Sequence, residues 1–409
     1  MAEEQALAHV QARIDALLVA GEYREAARAL HGLIAAAPNC FPAYRKLGVA
    51  CLRLQEYDAA EKHLLVAAQQ MPGDPDTFDG LAEAYGYMND VERARRAGRR
   101  ALVLKDASIP LKHGPPPSVP ARPGGTRLVA FSLFGGRPRY CETAILNAET
   151  VPRLLPGWIC RYYVDDTVPA EVLDRLRAAG AQVITADGPT RILPKTMWRF
   201  LALHDRDADA VICRDADSLL STRETGWIDA WLESGLPFHI IRDYFSHCEL
   251  MLAGLFGVRG GVLDRVEDTM RNWLAGVDRT SRWSDQHFLR ACIWPLARDA
   301  ALTHDSWFAY GSRVVPGTQI VTDARDHVGA NHSSVSMALK LDHPDGTVVR
   351  WSLVDATGTL MCSSYVGTVH GGQHVIEIPR SYGEQIQSGE WKVQWAIDAH
   401  RVDGFARAL

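Results

Sequence analysis

Cysteine is scarce in this chain. Only 8 of 409 residues are Cys, scattered and without a C-x-x-C pair. That argues against a structural zinc site and fits reduced thiols in a cytosolic compartment. Long apolar runs are also missing: none approaches the roughly 18 residues that a membrane-spanning helix needs. An excess of basic charge is missing too. The formal net charge is −5, with a pI near 6.3, which leaves no electrostatic footprint for nucleic acid. The opening residues Met1-Ala2-Glu3-Glu4-Gln5 lack the basic stretch of a signal peptide. The sequence therefore predicts a cytoplasmic protein with no membrane span and no nucleic-acid partner. Apolar residues make up 47% and charged residues 23%, ordinary values for a globular protein. The length suits two or three domains.

The first third repeats itself. In "AYRKLGVACLRLQEYDAAEKHLLVAAQQMPGD", Tyr44, Leu47, Gly48 and Cys51 fall at helical spacing, followed after a turn by Tyr57, Ala60, Leu64, Ala67 and Pro72. The pattern returns at a period of about 34 residues, as Phe78, Leu81, Ala82, Tyr85, Ala94 and Ala101 downstream and as Leu17, Tyr23, Ala26, Leu30 and Pro38 upstream. Small residues stand where two helices of a pair would cross closely. The pattern resembles the tetratricopeptide repeat and covers roughly residues 7–106. The resemblance implies an α-solenoid with a concave surface for a protein or peptide.

Six prolines and three glycines then crowd residues 109–125. Such a stretch is neither helix nor central strand, and reads as a semi-rigid linker. Beyond it, apolar strand-like runs alternate with helical ones, from "TRLVAFSLFGG" to "ADAVICRDADS", which argues for an α/β domain with a largely parallel sheet. From about Val335 the pattern changes to short alternating strands separated by "HPDGT" and "HGGQ", which reads as a small antiparallel β-sandwich. The expected organisation is multidomain: a repeat array over 1–108, the linker over 109–125, an α/β domain over 126–333 and an antiparallel β domain over 334–409.

Within the α/β stretch, "VICRDADSLLS" ends an apolar strand on Asp215 and Asp217. Two carboxylates this close repel unless something positive lies between them. A solvated loop tip answers that; so does a divalent cation, held by two side chains on alternate positions of an extended segment. Ligands of open α/β sheets sit at the carboxyl ends of the strands. The Phe134-Gly135-Gly136 turn and the acidic pair both fall there, so the site is expected between them.

An acidic D-x-D after such a strand resembles the metal motif of GT-A glycosyltransferases. The phrases "FSLFGGRPRY", "PGWICRYYVDDTVP", "WRFLALHD", "RDADS", "FHIIRDYFSH", "AGLFGVRGG", "DQHFL" and "HDS", spanning about residues 127–306, are together similar to a bacterial family of such enzymes. One segment departs from it. Where the family favours Gly-Gly-Met-Trp-Gly, this chain has Ala253-Gly254-Leu255-Phe256-Gly257.

The resemblance implies transfer of a sugar from a nucleotide-sugar, a UDP-sugar first among donors, with Mn²⁺ or Mg²⁺ as cofactor. It implies Asp215, Asp217 and His304 as metal ligands, with Asp305 orienting the histidine. Donor contacts would come from Phe131, Ser132, Phe134, Gly135, Arg199, Arg214, Asp215 and Gln286. Asp285 and Asp243 are candidates for catalysis, as general base or on the acceptor side, and His247 is a weaker one. The repeat array would recruit a protein acceptor, giving protein glycosylation. Other readings are an adaptor whose transferase domain only binds nucleotide, a transferase acting on a glycan or small molecule, and a nucleotidyltransferase. The last usually carries Gly-Ser ahead of its acidic pair, which "VICRDADS" lacks.

Overall fold

A computed structural model describes residues 2–110, 115, 117–120, 124–277, 283–317, 319–332 and 335–397. Parts of the expected linker (111–114, 116 and 121–123) and of the expected C-terminal domain (334 and 398–409) lie outside the described residues. Six helices come first: α1 (Ala2–Ala20), α2 (Tyr23–Ala36), α3 (Phe41–Arg53), α4 (Tyr57–Gln70), α5 (Pro75–Tyr87) and α6 (Val91–Ala107). Then follow β1 (Thr126–Leu133), α7 (Pro138–Leu154), β2 (Trp158–Val164), α8 (Ala170–Ala178), β3 (Gln182–Thr185), a 3₁₀ segment Lys195–His204, β4 (Ala208–Cys213), α9 (Thr222–Ser234), β5 (Phe238–Arg242) and β6 (Phe256–Arg259). The chain continues through α10 (Val266–Leu274), α11 (Ser284–Phe288), α12 (Trp294–Ala297), β7 (Ala301–Asp305) and β8 (Arg313–Pro316). It ends with β9 (Val335–Lys340), β10 (Val348–Asp355), β11 (Tyr365–Thr368), β12 (Gln373–Ile378), α13 (Arg380–Gln387) and β13 (Trp391–Ile397).

These elements form two compact units whose borders do not follow the expected domains. One holds Met1–Pro116, Ile240–Leu252 and Ile293–His327; the other holds Pro117–His239, Ala253–Cys292 and Val328–Leu409.

In the first unit the six helices form three pairs. Proline sits at the start of α3 and α5, where its missing N–H costs nothing. Asp90 caps α6 by accepting from the Arg93 N–H at 3.0 Å. Leu64 of α4 fills the space between helices, and Gly48 makes room for it: a Cβ there would come within 2.5 Å of its Cγ. The third pair carries the later segments of the same unit. Phe245 lies against Gly86 and Phe308 against Gly98, at glycines where any Cβ would collide with the ring. Arg95 donates to the Trp307 carbonyl at 2.6 Å and Arg99 to that of Phe308 at 2.8 Å. Asp106 accepts from Trp294 Nε1 at 2.6 Å and from the Tyr310 hydroxyl at 2.7 Å. The buried Lys105 ammonium is shared by Asp79 at 2.6 Å, Glu249 at 2.7 Å and the Cys248 carbonyl at 2.6 Å. The last pair of the array thus shares its core with residues from the middle of the chain.

In the second unit β2 lies between β3 and β1, and β1 between β2 and β4, all parallel. β6 runs antiparallel beside β4. The sheet is buried because apolar side chains occupy both faces: in β1, Leu128 to Phe131 are all fully covered. The C-terminal residues form a two-stranded antiparallel sheet, β9 with β12, and a three-stranded one, β11-β10-β13, plus α13. The expected β-sandwich contained neither β11 nor that helix.

A buried acid is among the ties between these strands and the α/β sheet. Glu142 of α7 accepts from the Ser363 N–H at 3.0 Å, the Tyr382 hydroxyl at 3.1 Å, the Tyr365 hydroxyl at 2.5 Å and Arg175 at 2.9 Å. Replacing it leaves four donors without their acceptor. Glu142→Ala is expected to lower unfolding free energy by on the order of 3 kcal/mol, read from urea denaturation, with faster proteolysis in residues 335–397. An unchanged urea midpoint would show that water replaces the carboxylate.

Candidate active site

The carboxyl end of β1 runs into Phe134 and Gly135, whose φ of 77° is left-handed and suits glycine. Beside it β4 ends at Cys213. The Arg214 N–H still donates to the Ala130 carbonyl at 3.0 Å, prolonging the β1 pairing by one residue. The chain then turns, with the Ser218 N–H bonded to the Asp215 carbonyl at 3.2 Å. Asp215 and Asp217 therefore stand on a turn, not on an extended segment. The turn is held from the other side, where the His332 N–H donates to the Asp217 carbonyl at 2.8 Å and Ser218 bridges to Asn331.

A cavity of about 460 Å³ opens here. Ser132, Phe134, Tyr140, Thr196, Arg199, Asp215, Asp217 and Trp283 line it. Arg199, on the 3₁₀ segment, is only 4% exposed. Its guanidinium reaches Asp215 Oδ1 at 2.7 Å with one nitrogen and Asp285 Oδ2 at 2.9 Å with the other. Its backbone N–H donates to Ser132 Oγ at 2.9 Å. Arg139 of α7 approaches Asp217 at 3.3 Å. Gly254 is required by this packing, because a Cβ there would collide with the Asp215 carboxylate. The departing segment 253–257 thus keeps the one glycine that the acid needs.

The charges do not balance. Asp215, Asp217 and Asp285 face two guanidiniums, those of Arg199 and Arg139, which leaves one formal negative charge. Burial, then the charge of Asp215, pushes the Asp217 carboxyl above its ordinary range against the pull of Arg139. Burial also raises Asp285 despite Arg199, and Asp215 adds to the effect. An additional cation would relieve this excess. The carboxylate oxygens are the ligand type that Mg²⁺ and Mn²⁺ take.

The structure brings together Ser132, Phe134, Arg199, Asp215, Asp217 and, through Arg199, Asp285. It turns other candidates elsewhere. Arg214 is buried and pairs with Glu224, its Nε at 3.0 Å, while its Nη1 donates to the Cys213 carbonyl at 2.9 Å. Phe131 stacks on Tyr162 at 4.7 Å, deep in the sheet, since alternate residues of β1 face opposite sides. The Gly135 N–H donates to Thr167 Oγ1 at 2.6 Å. Gln286 accepts from the Ala253 N–H at 3.0 Å, bracing the segment that carries Gly254. Sequence reasoning missed Arg139, Tyr140 and Trp283. The first two lie inside the quoted "FGGRPRY"; Trp283 is 56% exposed at the cavity wall, and only its place before Asp285 could have drawn notice.

Asp243 and His304 belong to the first unit. Asp243 is fully buried, accepts from Ser306 Oγ at 2.7 Å, and its N–H donates to His247 Nδ1 at 3.0 Å. Asp305 accepts from Arg242 Nε at 2.8 Å and from the Trp307 and Phe308 N–H groups, so it braces its own loop. Among the described residues, no three His, Cys, Asp or Glu side chains converge as a metal centre. Of the candidate metal ligands, Asp215 and Asp217 lie in the second unit and His304 in the first.

Burial lowers His304 to about 4 and pushes His247 far below its usual value. Both stay neutral in the fold, while the unfolded chain takes up protons below about pH 6.5. Stability present above that pH is thus lost on acidification, by up to about 1.4 kcal/mol per pH unit for each histidine. Urea midpoints measured from pH 7 to pH 5 are expected to fall, and His304→Gln is expected to flatten the slope. A pH-independent midpoint would contradict the assignment.

Residues 12–75 match the tetratricopeptide-repeat family. No curated protein matches the chain. Among solved structures, a mutant O-GlcNAc transferase from Thermobaculum terrenum is similar at 16% identity and a TM-score of 0.31. The alignment covers 52% of this chain and 51% of that one, so the chain spans about half the length of the protein it matches. A likeness this low carries no argument about activity. No helix among the described residues is long and apolar enough to cross a membrane.

Proposed function

We propose that the chain is a metal-dependent glycosyltransferase of GT-A type, using a nucleotide-sugar and acting on an acceptor recruited by its tetratricopeptide array. The observation that supports this most is the cavity at the ends of β1 and β4, where Asp215 and Asp217 face each other's charge beside aromatic and hydroxyl side chains. Asp215 and Asp217 would hold Mn²⁺ or Mg²⁺; His304, buried and neutral, is not needed for this reading. When bound, the cation supplies charge neutralisation for a diphosphate leaving group. Arg199 holds Asp215 and Asp285 through one guanidinium. Asp285, with its raised proton affinity, is the group suited to accept the acceptor's proton. Phe134, Tyr140 and Trp283 line the cavity and would give a base and sugar aromatic surface to lie against. A UDP-sugar is the first donor to try.

The test is a thermal-shift panel of nucleotide-sugars with and without Mn²⁺. A cognate donor at a hundredfold over Kd should stabilise the protein by about 2.7 kcal/mol, in a metal-dependent way. No shift with any nucleotide-sugar would end the proposal.

A further inference from the structure

A second cavity, of about 410 Å³, lies in the same unit, lined by Arg137 and Pro138 at the start of α7, Trp351, Tyr365, His374 and Glu377 among others. We infer that this cavity is a subsite for a sugar ring of the acceptor, so that the enzyme extends an existing glycan.

Three observations carry it. The first is position. Phe134 and Tyr140 line the first cavity, and the residues between them, 136–138, line the second. The stretch 134–140 is therefore a wall common to both spaces. Arg139 spans that wall, at 3.3 Å from Asp217 and 3.7 Å from Glu377. A ring in the second cavity is thus placed for its neighbour to enter the first.

The second is chemistry. A sugar ring has an apolar C–H face and a rim of hydroxyls that both donate and accept. The lining matches each part. Val366 and Val375, 45% and 51% exposed, supply apolar surface, and the Trp351–Tyr365 ring pair at 5.3 Å, itself buried, forms the floor beneath them. Arg137 supplies donors and Glu377 an acceptor. A phosphate is disfavoured by the Glu377 carboxylate, and an aliphatic chain by both charges. The size lies in the range of small-ligand sites.

The third is shape. The His374 ring lies on Gly367, where any Cβ would collide with it, and its Nδ1 is 3.1 Å from the Thr368 carbonyl. The two strands that flank the cavity, β11 and β12, are therefore locked together, and the space is preformed.

The inference rests on the proposed transferase reading for its acceptor role, but binding at the second cavity is measured separately. Cellobiose, maltose, lactose and chitobiose are each titrated into the full chain without nucleotide and followed by saturation-transfer NMR. At least one is expected to bind. Val375→Arg, which fills the cavity from an exposed position, and Arg137→Ala should each weaken that binding by about tenfold or more, with unchanged melting temperatures and an unchanged UDP-plus-Mn²⁺ thermal shift. If none of the four binds, or if both variants bind as the parent does, the subsite is refuted. If a disaccharide binds and is lost in both variants while no nucleotide-sugar shifts the protein, the sugar site stands and the transferase reading falls.

Discussion

Asp217→Ala is expected to abolish metal-dependent donor turnover, by on the order of 10²–10³-fold or more, while the metal-free protein melts at the same temperature or slightly higher. Burial, then the charge of Asp215, raises the Asp217 carboxyl above its ordinary range, and Arg139 opposes them only in part. Removing it takes away a repulsion that only a cation would otherwise offset. Asp215→Ala should cost as much activity but behave differently in stability. Its carboxylate holds one nitrogen of the buried Arg199, so its loss strands part of a desolvated guanidinium. The melting temperature of that variant should fall. Differential scanning calorimetry with and without Mn²⁺ separates the two. Normal turnover by either variant in Mn²⁺ removes the metal from the mechanism.

Deleting the array is expected to destroy the fold of what remains. A chain starting at Gly125 keeps residues 240–252 and 293–327 but loses α5 and α6, on which they pack. Phe245 loses Gly86, Phe308 loses Gly98, and the Trp294 indole loses Asp106. Each large apolar side chain brought back to water costs about 1.5–3 kcal/mol. Three of them are comparable with the whole stability of many domains, about 5–15 kcal/mol. Aggregation on expression, or a near-ultraviolet circular dichroism spectrum without fine structure, is the expected result. A cooperative melt near that of the full chain would show that the array is an independent module after all. A semi-rigid linker by itself is compatible with such independence. Composition marks where a chain is extended; it does not reveal which distant segments return to cover a helix.

Local patterns were the legible part. The repeat residues Leu30, Leu47 and Leu64 are fully buried where their period placed them, because helix pairing depends on neighbours a few residues away. β1 and β4 also lie within the apolar runs read as strands. What depends on long-range geometry was not legible. Arg214 stands beside Asp215 in the sequence, yet its side chain leaves the site for Glu224. Arg199 could have faced a ligand or the interior, and only the fold shows it bridging two acids 70 residues apart, Asp215 and Asp285. Glu142, unmarked in a helical run, gathers donors more than two hundred positions later.

The shared packing of α6 has a consequence during synthesis. The later partners of Lys105, Asp106 and Gly98 leave the ribosome roughly 140–210 residues after α6 does, a delay of about 7–40 s at ordinary elongation rates. Throughout that interval the last repeat presents a half-finished surface, with an ammonium and glycine-floored hollows awaiting Phe245 and Phe308. Nascent chains halted before residue 240 should therefore be held by chaperones, and release should coincide with emergence of residues 293–327.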